Sequence, residues 1–335
     1  MTESARISAF FRIAARCTSM RITHGFRSLG TPHAVTIGNF DGLHLGHQAM
    51  LARLQDVART RGLPSCVLSF EPHPREFFTP EQAPARLSSL REKAERLRQL
   101  GVNRFHVFRF DRAFSALTAD AFIEQVLGRT LQARYVLVGD DFRYGARRTG
   151  DFALLAQAGA SLGFDAEFLP TVEIAGERAS STAVRKALAA GDLAHAARLL
   201  GRPYSISGRV EHGDKLGRDI GFPTANIQLR HNRPPLMGIF AVQVSGLGDQ
   251  PLPGVASLGK RPTVKNPDAA PVLEVHLFDF NAEIYGRRLR VDFLHKLRDE
   301  AKYPDLDSLV AQIGRDVDNA KHYLATFLNK SSHHA

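Results

Sequence analysis

One stretch limits the fold of this chain more than any other: Val35-Thr-Ile-Gly-Asn-Phe-Asp-Gly-Leu-His-Leu-Gly-His47. The apolar run from Ala34 to Ile37 predicts a buried strand, which Gly38 and Gly42 interrupt. Beyond Gly46 and His47, the residues Met50, Leu51, Leu54, Val57 and Ala58 fall on one face at helical spacing. Strand, glycine-rich turn and helix, in that order, present a helix N-terminus to an anion at the end of a parallel α/β sheet. His44 and His47 sit at the turn, where both could donate to a polyphosphate whose other oxygens are held by backbone N–H groups. One histidine there would read as a surface residue at a helix cap. Two histidines, three glycines and Asp41 within ten residues point to nucleotide chemistry instead.

The loop is neither G-x-x-x-x-G-K-[ST] nor G-x-G-x-x-G. Its His-Leu-Gly-His form resembles the nucleotidylyltransferase signature, which implies transfer of a nucleoside monophosphate from ATP with release of pyrophosphate. Downstream, strands are predicted at 65–70, 104–110, 135–138 and 164–169, separated by helical patterns starting near Leu90, Thr118, Asp151 and Ser180. The alternation predicts a parallel sheet with helices on both faces. Ligands of such sheets sit outside the carboxyl ends of the strands. The loops 39–47, 71–78 and 139–145 and the start of the Ser181 helix are all expected there.

Past Leu200 the pattern changes. Gly201-Arg-Pro203 reads as a linker, and alternating stretches at 204–210, 238–244, 254–258, 272–278 and 288–293 follow between turn residues. They predict a small antiparallel barrel. Leu306, Leu309, Ile313, Val317, Ala320, Leu324 and Phe327 form one amphipathic stripe, predicting a long helix against it. The domains are therefore expected at 20–200 and 201–330, with an extension at 1–19 and an unstructured tail at 331–335.

A chain of 335 residues suits two domains. Its net charge of +10, from 44 basic and 34 acidic residues, fits polyphosphate ligands, a nucleic acid or a membrane surface. The basic residues are spread along the chain, which favours small phosphate-rich ligands, and no nucleic-acid partner is expected. No apolar run is long enough to span a bilayer. Two cysteines, Cys17 and Cys66, make no disulfide framework, so the expected compartment is the cytoplasm. Residues 1–19 are basic and read as a disordered extension or as sequence upstream of a start at Met20, with a basic targeting peptide as the alternative.

Taken together, G-N-F-D-G-L-H-L-G-H, F-E-P-H-P-R-E-F-F, V-G-D-D-F-R-Y-G, S-S-T-A-V-R, G-F-P-T-A-N and L-E-V-H-L-F-D-F resemble the bacterial bifunctional riboflavin kinase/FAD synthetases, from about Met20 to Phe327. The resemblance implies a nucleotidylyltransferase-type, Rossmann-like domain followed by a kinase barrel. It implies phosphorylation of riboflavin to FMN, then adenylylation of FMN to FAD, with ATP and Mg²⁺ at both steps. It assigns His44 and His47 to catalysis, and Gly38, Asn39, Phe40, Asp41, Arg178, Ser181, Thr182 and Arg185 to ATP and its phosphates. Capping of a helix would account for Ser181 and Thr182 equally well and is compatible with that role. Asp41 also suits a turn. Asp140 and Asp141 either orient nucleotide or metal or lie in a solvated loop. Phe77 and Phe78 either stack on a flavin or pack in the core.

In the barrel the resemblance assigns Gly213, Lys215, Gly217 and Arg218 to a flap over the phosphates, and Arg298 to the flavin side. Thr224 and Asn226 are two apart on an extended segment, so they share a face and can offer neutral oxygens to Mg²⁺. Glu274 matches the general base that would take the proton of the ribityl hydroxyl. Two other functions compete with this one. One is the same fold with a single working site. The other is a flavin- or RNA-binding regulator, which would leave both constellations unexplained.

Overall fold

The computed structural model describes residues 19–212, 220–229, 233–260 and 271–332. Two compact units are present. One runs to Pro84 and from Leu90 to Glu173, and the other takes Ala85–Ser89 and the described chain from Ile174 onward.

The first unit is built on six parallel strands: β1 (Arg21–His24), β2 (His33–Ile37), β3 (Ser65–Glu71), β4 (Arg104–Arg109), β5 (Ala133–Gly139) and β6 (Asp165–Leu169). Their order across the sheet is β1-β4-β3-β2-β5-β6. The longer helices are α1 (Leu45–Thr60), α2 (Pro74–Phe78), α3 (Leu90–Gln99) and α4 (Phe152–Leu162). Every residue of β2 is buried, as a central strand covered on both faces requires. Val35, Cys66, Leu68 and Val136 pack against Phe122, Val126, Leu127 and Leu155. Val67, Phe105 and Val107 pack with Leu51, Ala94 and Leu97 in a separate cluster.

From β2 the chain winds one way through β3 and β4, and from β5 the other way to β6, so the direction reverses between β2 and β5. That reversal opens the crevice in which open sheets bind ligands. The loop after β2 and the loop after β5 flank it. Strand β1 is absent from the sequence reading because it is a four-residue edge strand, Arg-Ile-Thr-His, mostly exposed and without an apolar run. The helix predicted at Thr118 is capped by the Thr118 hydroxyl and passes at Phe122 into a π-wound segment ending at Thr130.

The second unit begins with a two-stranded ribbon, β7 (Glu173–Ile174, at the division) and β8 (Glu177–Arg178). Helices α5 (Ser181–Ala189) and α6 (Leu193–Leu200) follow. The division by compactness thus falls near residue 173, whereas the change of pattern in the sequence falls at 200. Strands β9 (Tyr204–Glu211), β10 (Ala225–Ile227), β11 (Gly238–Ser245), β12 (Leu252–Lys260), β13 (Pro271–Leu277) and β14 (Arg288–Arg298) close into an antiparallel barrel in the order β10-β13-β12-β11-β14-β9. Leu273, Val275 and Leu277 are buried and alternate with half-buried Glu274 and His276, the two-residue period of a strand with one face in the core. On the same outer face as Glu274 and His276, Ile239, Ala241, Val255 and Phe278 pack against Val317, Ala320 and Leu324 of helix α7 (Leu306–Ser332). That helix continues through Ser332, past the point where the sequence reading starts a tail.

Candidate active sites

In the first unit, β2 ends at Ile37 and α1 begins at Leu45, and the loop between them is tightly built. Phe40 and Leu43 both take positive φ, 48° and 46°, although neither is glycine. Their side chains, each 1% exposed, are locked into the core cluster with Leu51 and Leu97. Backbone held in that region costs roughly 1–3 kcal/mol per residue and persists only where packing over-determines it. Gly38 donates its N–H to the Leu68 carbonyl at 3.1 Å, so that amide belongs to the sheet. A Cβ at Gly38 would lie 3.2 Å from the Phe40 ring, which explains the glycine by packing. Phe40, expected at the nucleotide, sends its ring into the core and against His47, with centroids 5.0 Å apart.

His44 is the N-cap of α1, and its Nδ1 accepts the His47 backbone N–H at 3.4 Å. A proton on Nε2 follows from that bond, making Nε2–H the donor of this imidazole. The two imidazoles stack at 3.7 Å. The His47 pKa is held well below the ordinary value, by burial first and then by His44 and Lys93, so this ring is neutral at pH 7. Its Nδ1 and the Asn39 Oδ1 are buried without a hydrogen-bond partner among the described residues. Buried orphans are rare and costly, and two in one loop at an α/β crevice mark groups left for a ligand. Asp41 is buried.

Lys93 escaped the sequence reading. It lies on α3, is buried, and donates to the Ser69 hydroxyl at 3.4 Å, while that hydroxyl donates to the Asn39 carbonyl at 3.3 Å. The signal was present, since a lysine three residues after Leu90 and four before Leu97 falls on the apolar stripe of its helix.

After β3, helix α2 is capped by His73, with Glu76 closing a capping box. Phe78 is 62% exposed and Phe77 36%, so neither is core. Their rings meet Phe110 at 5.6 and 5.7 Å, forming an exposed aromatic cluster. After β5, Asp140 and Asp141 are exposed, and Asp140 accepts the Thr171 hydroxyl at 2.6 Å.

In the second unit the cap of α5 is Ser180, whose hydroxyl accepts the Ala183 N–H. Capping therefore does not account for Ser181 and Thr182, which form the first turn. Arg185 donates from Nε to the Ala85 carbonyl at 2.5 Å, and Arg178 is exposed on β8.

A cleft of about 180 Å³ lies between the barrel wall and α7, lined by Phe222, Thr224, Glu274, His276, Arg298 and Asp316 among others. In the ladder Asn226 stands directly opposite Glu274, so their side chains share a face. His276 is fixed by its Nδ1 contact to the Pro223 carbonyl at 2.9 Å, which ties β13 to the segment preceding β10. Gly213, Lys215, Gly217 and Arg218 lie outside the described residues.

A nucleotide loop at a sheet reversal in one unit and a carboxylate-bearing cleft on a barrel wall in the other define a two-site transferase. The comparisons make it particular. Residues 27–183 match the FAD synthetase family model and residues 200–324 the riboflavin kinase model. The bifunctional riboflavin kinase/FMN adenylyltransferase of Escherichia coli K12 is 52% identical over 86% of this chain and 92% of its own length. That of Pseudomonas fluorescens is 48% identical over 90% and 97%. The chain belongs to this bifunctional family, with the FMN adenylyltransferase part N-terminal and the riboflavin kinase part C-terminal. A solved structure described as a macrolide-efflux protein from Streptococcus pneumoniae also superposes, with TM-score 0.74 and 29% identity over 88% of this chain and 97% of that one. Among the described residues here, no helix is long and apolar enough to cross a membrane.

Proposed function

We propose that the two sites act in series on one flavin, in the cytoplasm. In the cleft Glu274 accepts the proton of the riboflavin 5′-hydroxyl as that oxygen attacks the γ-phosphorus of ATP, and ADP leaves. Phe222 and Arg298 lie on the flavin side. Thr224 and Asn226 offer hard, neutral oxygens suited to Mg²⁺ that arrives with the nucleotide. The ion, when bound, neutralises phosphate charge. The chain's own part is to place the hydroxyl and the carboxylate within reach of one another.

In the first unit the FMN phosphate is itself the nucleophile. It attacks the α-phosphorus, and pyrophosphate leaves. No general base is needed, so the work is positioning and charge stabilisation. His44, through Nε2–H, and neutral His47 donate to phosphate oxygens, with Asn39 completing the loop. Phe77, Phe78 and Phe110 offer a surface for the isoalloxazine ring. Arg178, Ser181, Thr182 and Arg185 keep the phosphate-binding role that their motif implies.

The observation that carries this reading is Glu274, lining a cleft beside Thr224 and facing Asn226 across the ladder. The test is a flavin time course with riboflavin, ATP and Mg²⁺. FMN appearing before FAD supports the series. FMN alone leaves the first unit inactive, and no conversion refutes the reading.

A further inference from the structure

Arg298 closes β14, and its guanidinium is held by α7. Nε donates to Asp316 Oδ1 at 2.9 Å and Nη2 to Oδ2 at 2.6 Å, a side-by-side fork on one carboxylate. Nη1 donates to the Asp299 carbonyl at 2.9 Å, and Gln312 Nε2 adds a further donor to Asp316 Oδ1 at 2.9 Å. The Asp316 side chain is 5% exposed and that of Arg298 23%, so the pair is largely withdrawn from water. The Tyr303 ring lies 5.8 Å from the guanidinium carbon. Both charged residues line the cleft that holds Glu274.

An arginine that grips phosphate keeps its charge and fork for the ligand. Here the fork is already spent on a carboxylate, and the pair carries no net charge. Three of the five N–H groups of Arg298 are committed by these bonds, leaving two. Fixed donors on a neutral pair suit uncharged carbonyl and ring-nitrogen acceptors better than they suit a phosphate.

We propose that Asp316 is a positioning residue of the kinase cleft, which orients Arg298 and cancels its charge so that the arginine recognises the uncharged polar edge of the flavin ring. The inference rests on the reading that this cleft takes riboflavin. It makes α7 part of substrate recognition as well as a cover for the barrel.

The test is steady-state kinetics of FMN formation in the full-length chain. Asp316→Asn keeps the shape and removes the charge. A charge-assisted hydrogen bond lost from binding raises KM for riboflavin about tenfold or more, with KM for ATP within about threefold. Asp316→Asn also leaves Arg298 an unneutralised cation, so sulfate at constant ionic strength competes with riboflavin in the variant and not in the parent. A helix anchor without a role in recognition would not produce that competition. In Arg298→Gln/Asp316→Asn, KM is no higher than in Arg298→Gln alone, because Asp316 acts through Arg298. An unchanged KM for riboflavin, equal sulfate inhibition of parent and variant, or additive effects in the double variant would overturn the inference. Residual FMN formation at saturating riboflavin reports that the kinase unit of the variant chain is folded. If that activity is lost in Asp316→Asn, Arg298→Lys takes its place, and an unchanged KM for riboflavin there overturns the proposal. Failure of the parent to make FMN would instead refute the assignment of the cleft.

Discussion

Replacing His44 separates its observed capping of α1 from the phosphate-donor role proposed for it. As N-cap of α1 it accepts the His47 N–H at 3.4 Å, a long bond. Its loss belongs at the low end of capping energies, about 0.5 kcal/mol. In a unit of this size that shifts Tm by about 1–2 °C. In its proposed role as a donor to the reacting phosphate it belongs with preorganised transition-state donors, whose removal costs about 10²–10³ in rate, or about 2.7–4 kcal/mol. The two contributions differ severalfold, so one pair of variants resolves them. His44→Ala loses both the cap and the donor. His44→Asn restores a favoured capping residue and still lacks the imidazole. The expected result is a Tm within about 1 °C of the parent for His44→Asn, with FAD formation down by at least about a hundredfold. Both variants should still phosphorylate riboflavin at the parent rate, an internal check on the amount of chain assayed, while thermal unfolding reports the folding of the first unit. The assay is chromatographic separation of FMN and FAD, with added FMN for the second step, beside thermal unfolding. If His44→Asn kept FAD formation within threefold of the parent, the imidazole would be only a cap and the argument from the orphaned loop atoms would fail.

The other predictions concern both units. Glu274→Gln should lower FMN formation by roughly 10²–10⁴-fold, leaving conversion of added FMN to FAD intact. Loss of both steps would contradict separate sites. His106 is buried with both ring nitrogens in contact, to the Thr23 hydroxyl at 2.8 Å and the Gly25 carbonyl at 2.9 Å, and burial pushes its pKa down to about 4. The unfolded chain takes up a proton near pH 6.5 that the folded form refuses, so stability is full above that value and falls as pH drops from about 6.5 towards 4. His106→Gln should flatten that slope in urea titrations at pH 7 and pH 5, and an unchanged slope would reject the assignment. Gly145 has φ 74°, and a Cβ there would lie 2.7 Å from the Ala119 backbone nitrogen. Gly145→Ala should cost roughly 1–3 kcal/mol from overpacking beyond the left-handed backbone penalty, read as a lowered Tm.

Much of the fold was legible because it is written in local periodicity. Strands β2 to β6 and the long barrel strands are apolar or alternating runs bounded by turn residues. Strand β1 and the three-residue β10 were not legible as strands, because their pairing is supplied by β4 on one side and by β9 and β13 on the other. Candidate site residues stand out in the sequence where a motif is contiguous, as in the His44 loop or at Thr224 and Asn226. Lys93 and Asp316 were not singled out because their meaning comes from partners far away in sequence, Ser69 and Arg298. The glycine at position 38 shows the limit of motif reading. Its N–H serves the sheet and its missing side chain makes room for Phe40, neither of which a loop signature distinguishes from phosphate binding.

The closed barrel has a consequence for how this second unit tolerates change. A sheet that meets itself has no unpaired edge to protect, so its backbone hydrogen bonds do not depend on α7. The helix instead converts a plain outer wall into a recess and hides Ile239, Ala241, Val255 and Phe278. Architecture and chemistry are therefore separable here. Damage to α7 would leave a strand ladder that is still complete, but one that exposes an oily face and lacks the recess beside Glu274. Lesions in this helix should accordingly surface as self-association and lost phosphorylation before they surface as melted strands.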